Sequence, residues 1–304
     1  MFASLAFAAA AQMLPIVVPL QGTPPQTRRP VAPIESAGPR GAARCEGSDD
    51  WNRSAPPVRI HANTYLVGSC GISSILIVGD QGDILIDGGT EEDAAIIAAN
   101  VRALGRRLDG IKLILGSHEH PDHIGGIARL QQLSGATVAA SAPAARVLKT
   151  GVASDDDPQA GTLKMVPIAQ VGRIVADGEE VRLGNLMVTA MATPGHTPGA
   201  MSWRWVSCDG GVCRTIVYAD SLSPVSAPSY RFSDHPAYLA AYRASIARIA
   251  ASPCDILLTP HPGASDMPKR LALGRPLLDE DACKAYAAKL SGDLDSRLAK
   301  EQSK

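Results

Sequence analysis

The sequence predicts an α/β protein, a four-layer αββα sandwich in which helices cover two sheets. Short runs rich in Ile, Val and Leu alternate with longer segments whose apolar residues recur at helical spacing. A strand meander followed by strand and helix alternation occurs twice, without sequence repetition, which indicates two sheets whose loops collect at one rim. The chain has 304 residues, enough for one large domain with a full core.

The N-terminal 54 residues differ from the rest in composition. Residues 1–20 are almost wholly apolar and rich in Ala, which predicts a removable signal peptide and a periplasmic or secreted protein. No Lys or Arg precedes the apolar run, so a misplaced start or an uncleaved anchor stays open, although internal prolines disfavour a membrane span. Residues 21–54, crowded with Pro, Gly, Arg and Ser, predict a flexible lead-in. The single folded domain is expected over 55–304.

The first half of the domain opens with three predicted strands, TYLVG, SSILIVG and DILIDGG, separated by turn residues. EEDAAIIAANVRALG has acids in its first turn and a glycine at its end, which predicts a helix. IKLILG predicts a buried strand, PDHIGGIARLQQLSG one helix, ATVAAS a strand and APAARVLKTG a helix. VASDDDPQAGTLKM is polar and predicts a loop.

The second half repeats this order of elements. EVRLGNLMVTAMAT, AMSWRWVSC and CRTIVYADS predict strands, and HPAYLAAYRASIARIAA predicts a helix. CDILLTPHP predicts a strand with its exit loop, and EDACKAYAAKLSGDLDSRLAKEQ predicts a terminal helix. These elements supply the second sheet and its helical cover.

The charge composition argues against large anionic partners. Lys plus Arg number 29 and Asp plus Glu number 30, giving a formal charge of −1 without basic blocks. Binding to nucleic acid or to an anionic membrane surface is therefore not expected. The expected partner is a small molecule, and the protein is expected to be a monomer with no membrane contact after removal of the leader.

Six cysteines fit an exported protein with disulfides; they are Cys45, Cys70, Cys208, Cys213, Cys254 and Cys283. None lies in a zinc-finger spacing with a second pair, and the fifteen possible pairings are not distinguished by sequence alone. Locality suggests Cys208 with Cys213 across a tight hairpin, and spacing suggests Cys45 with Cys70 and Cys254 with Cys283. Free buried thiols are the alternative.

The segment HEHPDH, residues 118–123, concentrates metal-binding side chains. His118 and His120 lie two apart in extended chain and face the same way, whereas Asp122 and His123 follow Pro121 where a helix starts. Imidazole and carboxylate groups are suitable zinc ligands, so two adjacent ions can be held. The missing ligands are expected at the ends of other strands.

Two further histidines meet that expectation. His196 in ATPGHTPG and His261 in LLTPHPG each follow a strand and are flanked by Pro and Gly. A lone histidine is often a surface or satisfied core residue, but beside HEHPDH both are predicted ligands. His61 and His235 lack such a context and are expected to play no part in the site.

These motifs resemble the metallo-β-lactamase superfamily and its fold. HEHPDH fits the H-x-H-x-D-H signature, and ILIDGG, TPGHTPG, YADS and TPHP follow in the same order as in that superfamily. The superfamily includes lactamases, glyoxalases, lactonases, sulfur dioxygenases and nucleases. The segment IVYADSLSPVS, the TPHP loop, the GISSILI strand and a disulfide matching Cys254 with Cys283 are similar to subclass B3 lactamases. The other two suggested disulfides recur in members similar to an acquired imipenemase with three disulfides.

The resemblance implies two Zn²⁺ ions as cofactors. The ligands of the first ion would be His118, His120 and His196, and those of the second ion Asp122, His123 and His261.

The resemblance also implies substrate contacts. Ser221 would orient a water on the second zinc and, with Ser223, hydrogen-bond the substrate carboxylate; a plain strand-end turn is the alternative. Asp87 would accept the second ring N–H of a ligand or be a turn residue, and Gln159 would reach the substrate. If Asp220 rather than Ser221 faced the metals, a bridging carboxylate would favour a glyoxalase or lactonase. Strand neighbours face opposite sides, and the surrounding YADSLSPVS favours Ser221.

The implied activity is hydrolysis of the β-lactam amide bond of penicillins, cephalosporins and carbapenems, which confers antibiotic resistance. The expected nucleophile is a zinc-bound hydroxide that Asp122 helps to hold, without a covalent intermediate. The alternatives are a lactonase or a glyoxalase-like thioesterase on the same fold, and a non-catalytic exported zinc-binding protein.

Overall fold

Two β-sheets pack face to face in the computed structural model, which describes residues 38–303, and helices cover the outer face of each sheet. The predicted αββα order of layers is therefore confirmed. The predicted leader, residues 1–20, and residues 21–37 of the predicted lead-in lie outside the described residues. Among the helices in the described part, none combines the length and the apolar character needed to cross a membrane.

The first sheet has its strands in chain order, namely β1 (Val58–His61), β2 (Thr64–Leu66), β3 (Ile75–Ile77), β4 (Asp83–Ile86), β5 (Ile111–Leu115), β6 (Thr137–Ala140) and β7 (Val171–Ile174). Strands β1 to β4 pair antiparallel, and β4 to β7 pair parallel. Every residue of β3 and β4 is buried, because both faces of the sheet are covered.

The second sheet has the order β12-β11-β10-β9-β8. Its strands are β8 (Glu180–Leu183), β9 (Leu186–Ala192), β10 (Met201–Asp209), β11 (Val212–Tyr218) and β12 (Ile256–Leu258). Strands β8 to β11 form antiparallel pairs, whereas β12 joins β11 in parallel.

The helices of the described residues are α1 (Pro39–Ala42), α2 (Asp93–Ala103), α3 (Pro121–Ile124), α4 (Ile127–Ser134), α5 (Ala142–Thr150), α6 (Pro236–Ala251), α7 (Met267–Ala272) and α8 (Ala282–Gln302). The apolar faces of α2, α4 and α5 pack on the first sheet. Those of α6 and α8 pack on the second. Between the sheets, isoleucines such as Ile84 meet Trp203, Trp205 and Tyr218.

The predicted single helix over PDHIGGIARLQQLSG is wrong, because two helices, α3 and α4, occupy this segment. Gly125 and Gly126 separate them. A side chain on Gly126 would overlap the carbonyl oxygen of Gly88, and Gly126 donates its N–H to the carbonyl of Gly89 at 3.1 Å. The backbone after β4 therefore packs directly on these two glycines and accepts the N–H of Gly126 where the helix is interrupted.

The predicted single strand over EVRLGNLMVTAMAT is also wrong, because it forms the hairpin of β8 and β9. The turn lies at Gly184, whose φ of +55° is a left-handed conformation that suits glycine. Strands β1 and β7 and helix α7 were not predicted, since each is short and carries a weak apolar pattern.

The three suggested disulfides are confirmed, as Cys45–Cys70, Cys208–Cys213 and Cys254–Cys283. The first of them anchors residues that were predicted to belong to a flexible lead-in. Helix α1 and the following 3-10 turn lie in that segment, and the N–H of Cys70 donates to the carbonyl of Arg53 at 2.9 Å. Residues 38–54 therefore hold a defined path along the domain.

Candidate metal centre

The candidate metal ligands lie in loops that follow strands of both sheets. His118 and His120 follow β5, His196 follows β9, and His261 follows β12, while Asp122 and His123 lie in α3. The packing of the two sheets brings these loops together at one rim, as the sequence predicted. The centre is thus built from residues as far as 143 positions apart.

His118, His120 and His196 form the first group. One ring nitrogen from each lies within 4.8 Å of the others, a spacing that fits a single metal ion. All three side chains are buried. The Nε2 atom of His118 has no hydrogen-bond partner among the described residues, so a buried lone pair or N–H is left for a ligand.

Asp122, His123 and His261 form the second group. Asp122 Oδ2 lies 3.1 Å from His123 Nε2 and 3.4 Å from His261 Nε2. The two groups are adjacent, because ligand atoms of His118, Asp122 and His123 also lie within 4.8 Å of one another. Imidazoles with one carboxylate are suitable zinc ligands, and the donor set fits zinc at both positions.

An acceptor lies behind each ring of the first group. His118 Nδ1 is 2.8 Å from Asp220 Oδ1, His120 Nε2 is 3.1 Å from Asp157 Oδ2, and His196 Nδ1 donates to the carbonyl of Ser223 at 2.9 Å. If His118 Nδ1, His120 Nε2 and His196 Nδ1 carry the ring protons, the other nitrogen of each ring is unprotonated. Its lone pair can then bind a metal ion. Such acceptors fix the tautomer and orientation of metal-binding histidines.

The electrostatics of the site favour neutral imidazoles at three of the predicted ligands, His118, His196 and His261. Burial and the nearby imidazoles hold the pKa of His118 well below its ordinary value. Burial and His120 lower the pKa of His196 to about 3. Burial and His123 lower the pKa of His261 to about 4. Neutral rings can bind a cation without first losing a proton.

Asp122 and His123 form a buried ion pair. Burial opposes both charges, but the imidazoles of His123 and His261 outweigh it and lower the pKa of Asp122. The carboxylates of Asp122 and Asp87 likewise outweigh burial and raise the pKa of His123. A divalent cation at this position would take the place of the histidine proton.

Asp220 rather than Ser221 contacts a predicted ligand. The Asp220 carboxylate lies behind His118 and is not among the ligand atoms of either group. Its Oδ1 atom therefore acts on the ring of His118. Ser221 is 5% exposed beside it. Its assignment to a water on the second zinc stays a prediction.

Asp87 is both a turn residue and a neighbour of a ligand. Its φ of +63° is a left-handed conformation that aspartate tolerates better than most residues. Its carboxylate accepts from Ser117 N, Ser117 Oγ and Tyr218 Oη, each at 2.7 Å, and lies 3.6 Å from His123 Nδ1. These three hydrogen bonds hold the carboxyl group of Asp87 behind the ring of His123.

A cleft of about 540 Å³ opens onto the ligands. Gln159 lines it, with its Nε2 3.5 Å from His196 Nε2, and so does Ser223, whose Oγ is 3.2 Å from His196 Nδ1. Trp51 forms part of the wall, with its ring centroid 5.8 Å from that of His261. The cleft is therefore large enough for a small organic molecule to reach the metal positions.

Sequence reasoning missed Asp157 and Trp51 as residues of the site. Asp157 is one of three consecutive aspartates, and only its burial distinguishes it from the exposed Asp155 and Asp156. Trp51 lies in the segment that was predicted to be flexible. His61 and His235 lie outside the site, as expected: His61 belongs to β1, and the ring of His235 stacks on Tyr230.

The family comparison agrees with this architecture. The model of the family described as "Metallo-beta-lactamase superfamily" matches residues 67–261, which include all six predicted ligands. The chain belongs to the metallo-beta-lactamase superfamily.

Among solved structures, the chain is similar to enzymes of subclass B3. It is 52% identical to the MIM-2 metallo-beta-lactamase, over 88% of this chain and 100% of that one, with a TM-score of 0.82. MIM-1 from Novosphingobium pentaromativorans is 46% identical over 85% of this chain and 96% of its own, with a TM-score of 0.83. MEM-A1, a subclass B3 enzyme from a soil metagenome library, is 46% identical over 84% of this chain and 99% of its own, with a TM-score of 0.81.

Curated relatives match over a shorter range. A hydroxyacylglutathione hydrolase from Nitrobacter hamburgensis is 34% identical over 126 residues, which is 40% of this chain and 42% of that protein. The chain therefore spans less than half the length of this relative.

Proposed function

We propose that the protein is a metallo-β-lactamase of the B3 type, which uses two zinc ions to hydrolyse the amide bond of penicillins, cephalosporins and carbapenems. The observation that carries this proposal is the pair of adjacent ligand groups, each with three residues, at the floor of an open cleft. The similarity to metallo-beta-lactamases over 83–88% of the chain supports the lactam as substrate.

Bound zinc would polarise the lactam carbonyl and lower the pKa of a water molecule to about 7. The first ion would be held by His118, His120 and His196, and the second by Asp122, His123 and His261. Asp220, Asp157 and the Ser223 carbonyl keep the three rings of the first group in one tautomer. Asp122, with a lowered pKa, stays anionic and accepts hydrogen bonds in the cleft.

The substrate contacts would come from residues outside the two ligand groups. Ser221 and Ser223 would hydrogen-bond the carboxylate of the β-lactam, and Ser221 would orient a water at the second zinc position. Gln159 would contact the substrate beside His196, a role that the 3.5 Å distance between their Nε2 atoms supports. The absence of an attacking side chain in this scheme means that hydrolysis proceeds without a covalent intermediate.

The test is the loss of imipenem absorbance with purified, zinc-loaded protein, with and without a chelator. Hydrolysis that the chelator abolishes and zinc restores is the expected result. His120→Ala is expected to lose hydrolysis while the circular dichroism spectrum is unchanged. A fully active His120→Ala protein would refute the proposal.

A thioesterase is the second candidate, because several curated relatives are named hydroxyacylglutathione hydrolase. Assays with an acyl-glutathione and with an acyl-lactone, run beside imipenem, distinguish the two functions. Turnover of the thioester with stable imipenem would favour this candidate. Zinc binding without turnover of any of the three would favour a non-catalytic zinc protein.

The proposed location is the periplasm or the exterior. Three disulfides support it, because such bonds persist in oxidising compartments. Removal of the leader and a monomeric state belong to the same proposal. N-terminal sequencing of the exported protein and light scattering of the purified protein test these two points.

A further inference from the structure

Glu119 lies between two predicted ligands but points away from them. Its carboxyl group contacts Thr197 and Gly199 and is not among the ligand atoms of either group. Its side chain is 1% exposed. Within the described residues it forms no ion pair with a Lys or Arg, and burial raises the pKa of the carboxyl group. A buried carboxyl group of this kind is costly unless its hydrogen bonds are satisfied.

Both oxygens of Glu119 bind the loop that carries the third histidine. Oε2 accepts from Thr197 Oγ1 at 2.8 Å, and Oε1 accepts from Gly199 N at 2.8 Å. Thr197 is the residue next to His196. The side chain of Glu119 therefore connects the loop after β5 with the loop after β9, although the two loops are 78 to 80 residues apart in sequence.

Gly199 allows the carboxyl group to approach this closely. A Cβ atom on Gly199 would lie 2.5 Å from Glu119 Oε2, 2.7 Å from Oε1 and 2.8 Å from Ala144 N. On its other side, the carbonyl of Gly199 accepts from Ser141 Oγ at 2.6 Å, at the start of α5. The loop of His196 is thus fixed from two directions, and Glu119 supplies the direct connection to the other ligands.

We propose that Glu119 is a positioning residue of the metal centre, which holds His196 at the correct distance from His118 and His120 before a metal ion binds. The proposal rests on the metal-binding part of the proposed function and is independent of the identity of the substrate. To position His196 in this way, residue 119 must carry a planar group with two hydrogen-bonding atoms on a side chain as long as that of glutamate. Negative charge is not required, because Thr197 Oγ1 can accept as well as donate.

Three substitutions separate length and hydrogen-bonding from charge. Glu119→Gln retains two hydrogen-bonding atoms at the same reach, since its amide can donate to Thr197 Oγ1 and accept from Gly199 N. Glu119→Asp is one methylene shorter and cannot reach both partners. Glu119→Ala removes both bonds. Zn²⁺ affinity, measured by competition with a chromophoric chelator, is expected to fall 10- to 100-fold for the Asp and Ala variants and to change less than about threefold for Gln.

Glu301 supplies a matched control for general destabilisation. It is also buried, and it accepts from Phe232 N, Ser233 N and Arg297 Nε at 2.8 to 3.1 Å, in contact with none of the predicted ligands. Glu301→Asp is expected to lower the thermal midpoint of the metal-free protein while Zn²⁺ affinity is unchanged. A fall in Zn²⁺ affinity with this control as large as that with Glu119→Asp would overturn the proposal.

The remaining outcomes are also decisive. Wild-type Zn²⁺ affinity in Glu119→Asp, or a loss in Glu119→Gln equal to that in Glu119→Asp, would overturn the proposal. If Glu119→Ala does not fold, the comparison of the Gln and Asp variants decides. This test uses Zn²⁺ alone as the probe. If the wild-type protein does not hydrolyse imipenem, the proposed function is rejected, but the test of Glu119 remains valid.

Discussion

Asp157→Asn is a sharp test of how the first metal site is built. The Asp157 side chain is fully buried, with Oδ2 3.1 Å from His120 Nε2 and Oδ1 accepting from Gln159 N at 2.7 Å. Asparagine has one acceptor oxygen for these two donors. With that oxygen on Gln159 N, the amide N–H₂ faces His120 and favours a proton on Nδ1, the nitrogen that the first metal site needs unprotonated.

The magnitude follows from the bond that is lost. A hydrogen bond to a charged group contributes about 1.5–3 kcal/mol, which corresponds to roughly a 10- to 150-fold change in an equilibrium constant. Acceptors behind metal-binding histidines contribute about 10- to 100-fold in metal affinity or activity. We therefore expect Asp157→Asn to weaken Zn²⁺ binding, and imipenem hydrolysis at limiting zinc, by roughly 10- to 100-fold.

Asp156→Asn is the matched control, because it makes the same chemical change at an exposed neighbour. The assay is Zn²⁺ competition with a chromophoric chelator, followed by initial rates at several zinc concentrations. The control is expected to match the wild-type protein in both measurements. Equal Zn²⁺ affinity and equal rates for the two variants would show that Asp157 does not set the tautomer of His120.

Two further predictions concern stability of the metal-free protein. Burial raises the pKa of Asp93 to about 6, so between about pH 4 and pH 6 the native state holds this proton more tightly than the unfolded chain. The stability contributed by this group therefore falls as pH rises through that window, by up to about 3 kcal/mol. In urea titrations, the free energy of unfolding of the Asp93→Asn variant should exceed that of the wild-type protein by up to that amount at pH 7. The two values should be equal near pH 4. A difference that is constant across pH would contradict this reasoning. Ile84 lies in the fully buried layer between the sheets, so Ile84→Ala should lower the free energy of unfolding by about 2–5 kcal/mol. Val206 is 58% exposed, so Val206→Ala should lower it by less than about 0.5 kcal/mol. Similar losses for both would argue against this core.

The division of one predicted helix into α3 and α4 has a tertiary cause. PDHIGGIARLQQLSG has helical spacing throughout, but the backbone of residues 88–91 packs against Gly125 and Gly126, and Gly126 donates its N–H to the carbonyl of Gly89 where the helix is interrupted. The apolar periodicity of a segment indicates which secondary structure that segment prefers by itself. It does not report which backbone will pack against it from another part of the chain.

The sequence by itself determined the layers, the positions of the six predicted ligands and the ends of the three strands that precede them. Alternating apolar runs are a local property, and HEHPDH, GHTPG and TPHP place histidines directly after strands whatever the details of packing. The disulfide pairs were suggested by spacing and were confirmed by the structure.

Only the tertiary structure decided which side chains support those ligands. Three aspartates stand in a row in DDDPQ, and the fold turns only Asp157 toward His120. Asp220 lies behind His118, a contact that the local sequence did not indicate. Glu119 meets Thr197 across 78 positions. Such contacts depend on how two sheets pack and where their loops end, which no local pattern along the chain contains.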